Sequence, residues 1–132
     1  MANDVKEIGE IVWVDLTIPN AEKVVQEFYR AVTGWDVSEF NMGDYNDYAV
    51  STPDNKEKTV AGIAHALGDN AALPPQWIIY IKVKSLDASI AAAKSNGGKV
   101  LAGPKQFGGA RFCVLKDPAG AAFAVIEGDA GG

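Results

Sequence analysis

The sequence predicts an α+β protein built from two βαβββ modules in tandem, with curved mixed sheets enclosing a groove. Three observations predict this. The order strand, helix, strand, strand, strand occurs twice, and a turn-rich connector separates the copies. The 132 residues, 48% apolar and 22% charged, have the composition of one globular domain large enough to bury a core. The first module is expected at about residues 9–65, the connector at 66–75 and the second module at about 76–128.

In residues 10–18, Val12, Val14, Leu16 and Ile18 alternate with Trp13, Asp15 and Thr17, the pattern of a half-buried strand. Pro19-Asn20 ends it, and Asn20 is the expected N-cap of a helix over 21–32 with Val24, Val25, Phe28 and Val32 on its inner face. Gly34 reads as the helix C-cap, and Phe28, Tyr29 and Trp35 as its core against the sheet. Extended stretches follow at about 35–41, 46–52 and 58–64, with Asn-Met-Gly-Asp and Pro53-Asp54-Asn55-Lys56 as the turns. Residues 67–75, with a double proline and little periodicity, form the connector. The word then repeats: a strand at 76–83, Ser85 as a cap, and a helix at 86–95 with Leu86, Ile90 and Ala93 inward. Asn96-Gly97-Gly98 stops that helix, and strands follow at 99–103, 110–116 and 121–127. An offset of 65 pairs Trp13 with Ile78, Asp15 with Tyr80 and Thr17 with Lys82, while Gly34 meets Gly97 at an offset of 63.

The longest apolar runs, near 77–81 and 120–126, are far too short to span a membrane. The first residues, Met-Ala-Asn-Asp-Val-Lys-Glu, lead into no apolar secretory segment, so a cytoplasmic location is expected. With one cysteine, Cys113, and one histidine, His65, an internal disulfide is impossible and soft metal ligands are scarce. A net charge of −5 repels phosphate backbones, so nucleic acid is not an expected partner and neutral or cationic ligands are favoured.

The strand Trp-Val-Asp-Leu-Thr-Ile-Pro, the helix ending Glu-Phe-Tyr-Arg-Ala-Val-Thr-Gly-Trp, the later Val-Ala-Gly-Ile and the closing Lys-Asp-Pro-Ala-Gly-Ala-Ala-Phe-Ala-Val-Ile-Glu resemble the vicinal oxygen chelate superfamily. Its members include glyoxalases, extradiol dioxygenases and bleomycin resistance proteins. The resemblance runs from about residue 9 to 127 and implies fold more directly than activity. In the enzymes of that family, His, Gln or Glu from the first and last strands of each module hold a divalent metal. The matching positions here carry Trp13, Gly62, Ile78 and Ala124, none of which can donate to a cation. Glu127, three residues past Ala124, falls on the opposite face. No metal and no cofactor are therefore expected, and metal-dependent glyoxalase or dioxygenase chemistry is disfavoured.

By strand parity the groove face comprises Trp13, Asp15, Thr17, Ile78, Tyr80, Lys82, Ala122, Ala124 and Ile126, with Tyr45 or Tyr48 and Arg111 or Cys113 at the rim. Aromatic, small and a few polar side chains together suit a small-molecule pocket. Each residue also has a purely structural reading. Trp13 can fill the space a metal would occupy, Asp15 and Lys82 can form a structural ion pair, and Tyr80 and Cys113 can be core. His65 reads as a surface histidine. Three functions remain open. The chain binds a small organic molecule, or it is a metal-independent isomerase, lyase or cyclase with Asp15 as base and Lys82, Tyr80 or Arg111 stabilising negative charge, or it is a non-catalytic assembly subunit. A homodimer is expected, because closed twofold pairs cover sheet edges and apolar faces.

Overall fold

A computed structural model describes residues 6–129, which divide into two compact units: residues 14–77, and residues 78–129 together with the segment before residue 14. Among the described residues there are eight strands and few helices, an α+β fold with both parallel and antiparallel pairing.

In the unit of residues 14–77, β1 (Ile11–Ile18) leads into helix α1 (21–33), followed by β2 (Asp36–Asn41), β3 (Asn46–Thr52) and β4 (Asn55–His65). β1 runs parallel to β4, and β3 is antiparallel to both β4 and β2, giving the order β2-β3-β4-β1. The parallel pair follows from connectivity, since α1 carries the chain away between them while the other connections are short turns. The β2–β3 turn is closed by Gly43 N–H donating to Asn41 Oδ1 at 2.7 Å and Met42 N–H donating to the Tyr45 carbonyl at 2.8 Å. Leu16, Ile18, Ala21, Val25, Tyr48, Val50, Ala61 and Ile63 form the core between helix and sheet, with Tyr29, Trp35 and Trp77 packed against it.

Two expectations for this helix are corrected. Asn20 does not cap it: its backbone is left-handed (φ 56°) and its side chain accepts no capping hydrogen bond, while its carbonyl accepts the Val24 N–H at 3.1 Å. Nor does 3.6-residue periodicity hold throughout. Regular α-helix at Ala21–Lys23 and Arg30–Thr33 flanks a π-helical stretch, Val24–Tyr29. A π turn takes in one residue more than an α turn, so the inner face passes from Val25 to Tyr29. Phe28 and Val32, expected inside, are instead 53% and 65% exposed. Gly34, at φ 75°, ends the helix as expected, its N–H donating to the Arg30 carbonyl at 3.1 Å.

The unit containing residues 78–129 repeats the plan. β5 (Trp77–Lys82), helix α2 (Leu86–Ser95), β6 (Lys99–Phe107), β7 (Gly109–Lys116) and β8 (Ala122–Asp129) give the order β5-β8-β7-β6, with β5 parallel to β8. This is the order of the other unit, element for element. Leu86, Cys113, Leu115 and Val125 form its helix-side core, with Val83, Ile90, Ala93, Val100 and Phe123 around them. Ser85 caps α2 as expected, its Oγ accepting the Ala88 N–H at 3.2 Å. The β7–β8 turn rests on Asp117, whose Oδ1 accepts from Ala119 at 2.8 Å and Ala121 at 3.0 Å, with Gly120 at φ 98°.

Candidate functional site

In each unit one sheet face packs on its helix and the other does not, and the expected site residues lie on the second face. In residues 14–77 the helix-side core takes Leu16, Ile18 and Ile63, so alternation puts Asp15 and Thr17 on the opposite face. Cα pairing then builds a row across four strands: Asp15 opposite Gly62, Gly62 opposite Ala49, and Ala49 opposite Ser38. Thr17 pairs with Ala64 in the parallel ladder. The half-buried Asp15 carboxylate therefore shares its face with a hydrogen, a methyl and a hydroxymethyl group. Thr17 is fully buried.

The equivalent row of the other unit is Tyr80, Ala124, Val114 and Ala102, and beside it run Lys82, Ile126, Phe112 and Lys105. Tyr80, buried, lies with its ring centroid 5.5 Å from that of Phe112 at 58°. Ala122 and Ala124 are buried on the same face, as is Ile78. The Lys82 ammonium donates to the Lys6 carbonyl at 3.0 Å and meets Asp129 Oδ1 at 3.5 Å. Trp13 is half-buried.

Three rim assignments are corrected by parity. Arg111 lies on the helix side of β7, where Nη2 meets Asp87 Oδ1 of α2 at 3.2 Å, so it cannot stabilise charge on the opposite face. Cys113, two residues on, is buried in the same helix-side core, and burial pushes its thiol pKa up from the ordinary 9.0, with Lys94 pulling weakly the other way. Tyr48 belongs to the helix-side core of its own unit. Burial foremost, and then the negative charges of Glu22, Glu39 and Asp47, raise its phenol above 10.0. Glu127 does face away from Ala124: its Oε1 accepts the Leu86 N–H at 2.6 Å, holding the first turn of α2.

At the positions matching the family's metal ligands stand Trp13, Gly62, Ile78 and Ala124, and an indole, a hydrogen, a sec-butyl and a methyl group offer no donor atom to a cation. Asp15, the carboxylate on this face of β1, has only Gly62 across from it, and Tyr80 has only Ala124. Among the described residues no group of three or more His, Cys, Asp or Glu side chains is placed to hold a metal. The donor set does not fit one.

Sequence reasoning missed His65. It was expected at the surface, yet it ends β4 half-buried, between Tyr45 and Tyr48 and beside Asp47. Periodicity does not see such a cluster, because Asp47 and His65 are brought together only by the β3–β4 pairing.

Residues 12–126 match the family described as the glyoxalase-like domain. CFP32 of Mycobacterium tuberculosis, named as a glyoxylase, is 32% identical over 124 residues, which are 93% of this chain and 46% of that protein. The anthracycline biosynthesis protein DnrV of Streptomyces peucetius is 30% identical over 133 residues, 89% of this chain and 46% of its own length. The chain thus spans about half the length of these curated relatives. Among solved structures, Streptomyces coelicolor methylmalonyl-CoA epimerase bound to 2-nitronate-propionyl-CoA superposes with a TM-score of 0.56 at 17% identity, covering 92% of this chain and 99% of that one. Methylmalonyl-CoA epimerase from Mycobacterium tuberculosis gives 0.55 at 14%, covering 98% and 96%. These two likenesses show the fold. Among the described residues no helix is long and apolar enough to cross a membrane.

Proposed function

Because the chain belongs to the glyoxalase-like domain family, we propose that it binds a small planar organic molecule on the strand faces away from its helices, without the family's metal. The observation that carries this reading is the face of Tyr80 and Phe112 beside Ala122 and Ala124, with no cation donor at Ile78 or Ala124. Aromatic rings supply stacking area, and the small neighbours leave room beside them. Trp13, Asp15, Thr17, Ile78 and Lys82 complete the proposed binding set, with Asp15 orienting a neutral or cationic group. Two ligand classes have support from relatives and neighbours: an anthracycline, from the name of DnrV, and a coenzyme A thioester, from the ligands of the epimerases. The acidic balance of the chain favours the first.

Thermal shift and equilibrium dialysis with an anthracycline and with methylmalonyl-CoA test the proposal. A true ligand stabilises by about 2.7 kcal/mol at a hundredfold excess over Kd, and Asp15→Asn should weaken it while leaving the melting temperature of the free protein nearly unchanged. Binding that disappears on chelation and returns with added divalent metal would overturn the metal-free reading.

Asp15 also supports a second reading, in which its carboxylate takes a proton from a bound substrate and Tyr80 or Lys82 steadies the charge left behind. The row Gly62, Ala49 and Ser38 leaves space beside that carboxylate. Turnover of a bound ligand that is lost in Asp15→Asn, with binding kept, would select this reading over binding alone. A homodimer is the assembly proposed, supported by curated relatives about twice the matched length, which can hold two such folds in one polypeptide. Sedimentation at the mass of a single chain at all concentrations would refute it. The lone, buried Cys113 is consistent with a cytoplasmic setting.

A further inference from the structure

Among the described residues, the one enclosed side-chain nitrogen or oxygen without a hydrogen-bond partner is Nδ1 of His65. Such an atom is costly unless something in its surroundings favours it. Asp47 does: its Oδ1 lies 3.7 Å from Nδ1, too far for a hydrogen bond but close enough to attract an N–H dipole, and it is fixed there by accepting the His65 backbone N–H at 3.1 Å. Tyr45 packs edge-on against the imidazole at 5.3 Å and Tyr48 lies at 6.1 Å, so the ring is held on two sides. On its remaining side His65 lines a cavity of about 430 Å³ at the ends of the parallel strands β1 and β4, together with Pro19, Asn20, Glu22, Lys23, Ala66 and Leu67. That volume is within the range of small-molecule pockets, roughly 300–1,000 Å³.

We propose that this cavity is a second ligand site, distinct from the strand faces, which takes a small molecule with an aryl body and a hydroxyl group donating to Nε2 of His65. The nearby Asp47 carboxylate favours the tautomer with hydrogen on the enclosed Nδ1, and that leaves the Nε2 lone pair as an acceptor towards the cavity. Pro19, Ala66 and Leu67 supply apolar wall for the ring. The Asn20 amide and the Lys23 ammonium can donate to the hydroxyl oxygen, while Glu22 disfavours an anionic ligand, so a neutral phenol suits the site better than a carboxylate. Asp47 is a positioning residue, acting through the imidazole.

The test uses 2-naphthol and its methyl ether, which share a ring system and differ in the hydroxyl hydrogen. 2-Naphthol should bind at least about tenfold tighter than the ether, and His65→Phe should abolish that difference. Because His65 is the sole histidine of the chain, its ¹⁵N imidazole resonances are assigned without ambiguity. They should show the Nδ1–H tautomer in the free protein and a shift confined to Nε2 on adding 2-naphthol, with Asp47→Asn eroding the tautomer preference. Equal binding of the two probes, an Nε2–H tautomer, or an unmoved Nε2 resonance at saturation would each overturn the proposal. Amide shifts at residues 19–23 and 65–67, rather than around Tyr80 and Ala124, keep this outcome separate from the fate of the strand-face site.

Discussion

The Glu127 carboxylate, the acidic group nearest in sequence to Ala124, holds the Leu86 N–H at 2.6 Å, and this contact assigns it to the helix rather than to a ligand. Glu127→Ala should therefore destabilise the fold by about 1–2 kcal/mol in urea titration without changing ligand affinity. A loss of affinity at full stability would return Glu127 to the binding face. Cys113 and Tyr48 are likewise core groups, and both have raised pKa values. For an acid whose folded pKa exceeds its unfolded value, the unfolded chain gives up its proton first, so stability is complete below the unfolded pKa and falls as pH rises past it. Stability should decline from about pH 9 upward, less steeply in Cys113→Ala. The native thiol should resist a disulfide reagent that titrates one equivalent in denaturant. Rapid labelling of the folded chain would contradict its burial.

Strand β1 shows how burial and facing separate at the level of an element. Leu16 and Thr17 are both 4% exposed although they point to opposite sides of the sheet, so exposure alone does not identify the face, and packing partners do. Leu16 belongs to the cluster with Val25 and Ile63, whereas Val14, expected to be fully buried, is half-buried. Leu16→Asp should unfold the protein by placing an unpaired charge in that cluster, and Asp15→Asn should melt within a few degrees of the parent chain. If circular dichroism melts gave the reverse order, the facing of β1 and its site residues would have to be withdrawn. Helix α2 is held at its start by two independent acceptors, Ser85 Oγ for Ala88 and Glu127 Oε1 for Leu86. Ser85→Ala should cost about 1 kcal/mol, and its effect should add to that of Glu127→Ala, since each satisfies a different N–H.

At the scale of the whole molecule, the fold repeats one plan while the site residues do not repeat. Asp15 in one unit answers to Tyr80 in the other, and Gly62 to Ala124, so the row positions are conserved in geometry and divergent in chemistry. Protein purified without added metal and dialysed should carry no stoichiometric zinc, nickel, iron or manganese by elemental analysis. A retained equivalent would require donors other than Trp13, Gly62, Ile78 and Ala124.

Alternation and turn chemistry were enough to read eight strands, the helix at 86–95 with its Ser85 cap, and the duplicated order, because period-2 and period-3.6 patterns are local and each is enforced by one buried face. The donor-poor metal positions were legible for the same reason: a residue's chemistry is written at its place in the strand. What local pattern cannot register is an added residue in a helix or a meeting of distant side chains. The π turn at Val24–Tyr29 moved Tyr29 inward and Phe28 outward, since one residue more per turn leaves composition unchanged but rotates everything after it. Arg111 found Asp87, and His65 found Asp47 and Tyr45, only through pairing across 24, 18 and 20 residues, a choice made by the packed sheet and helix together.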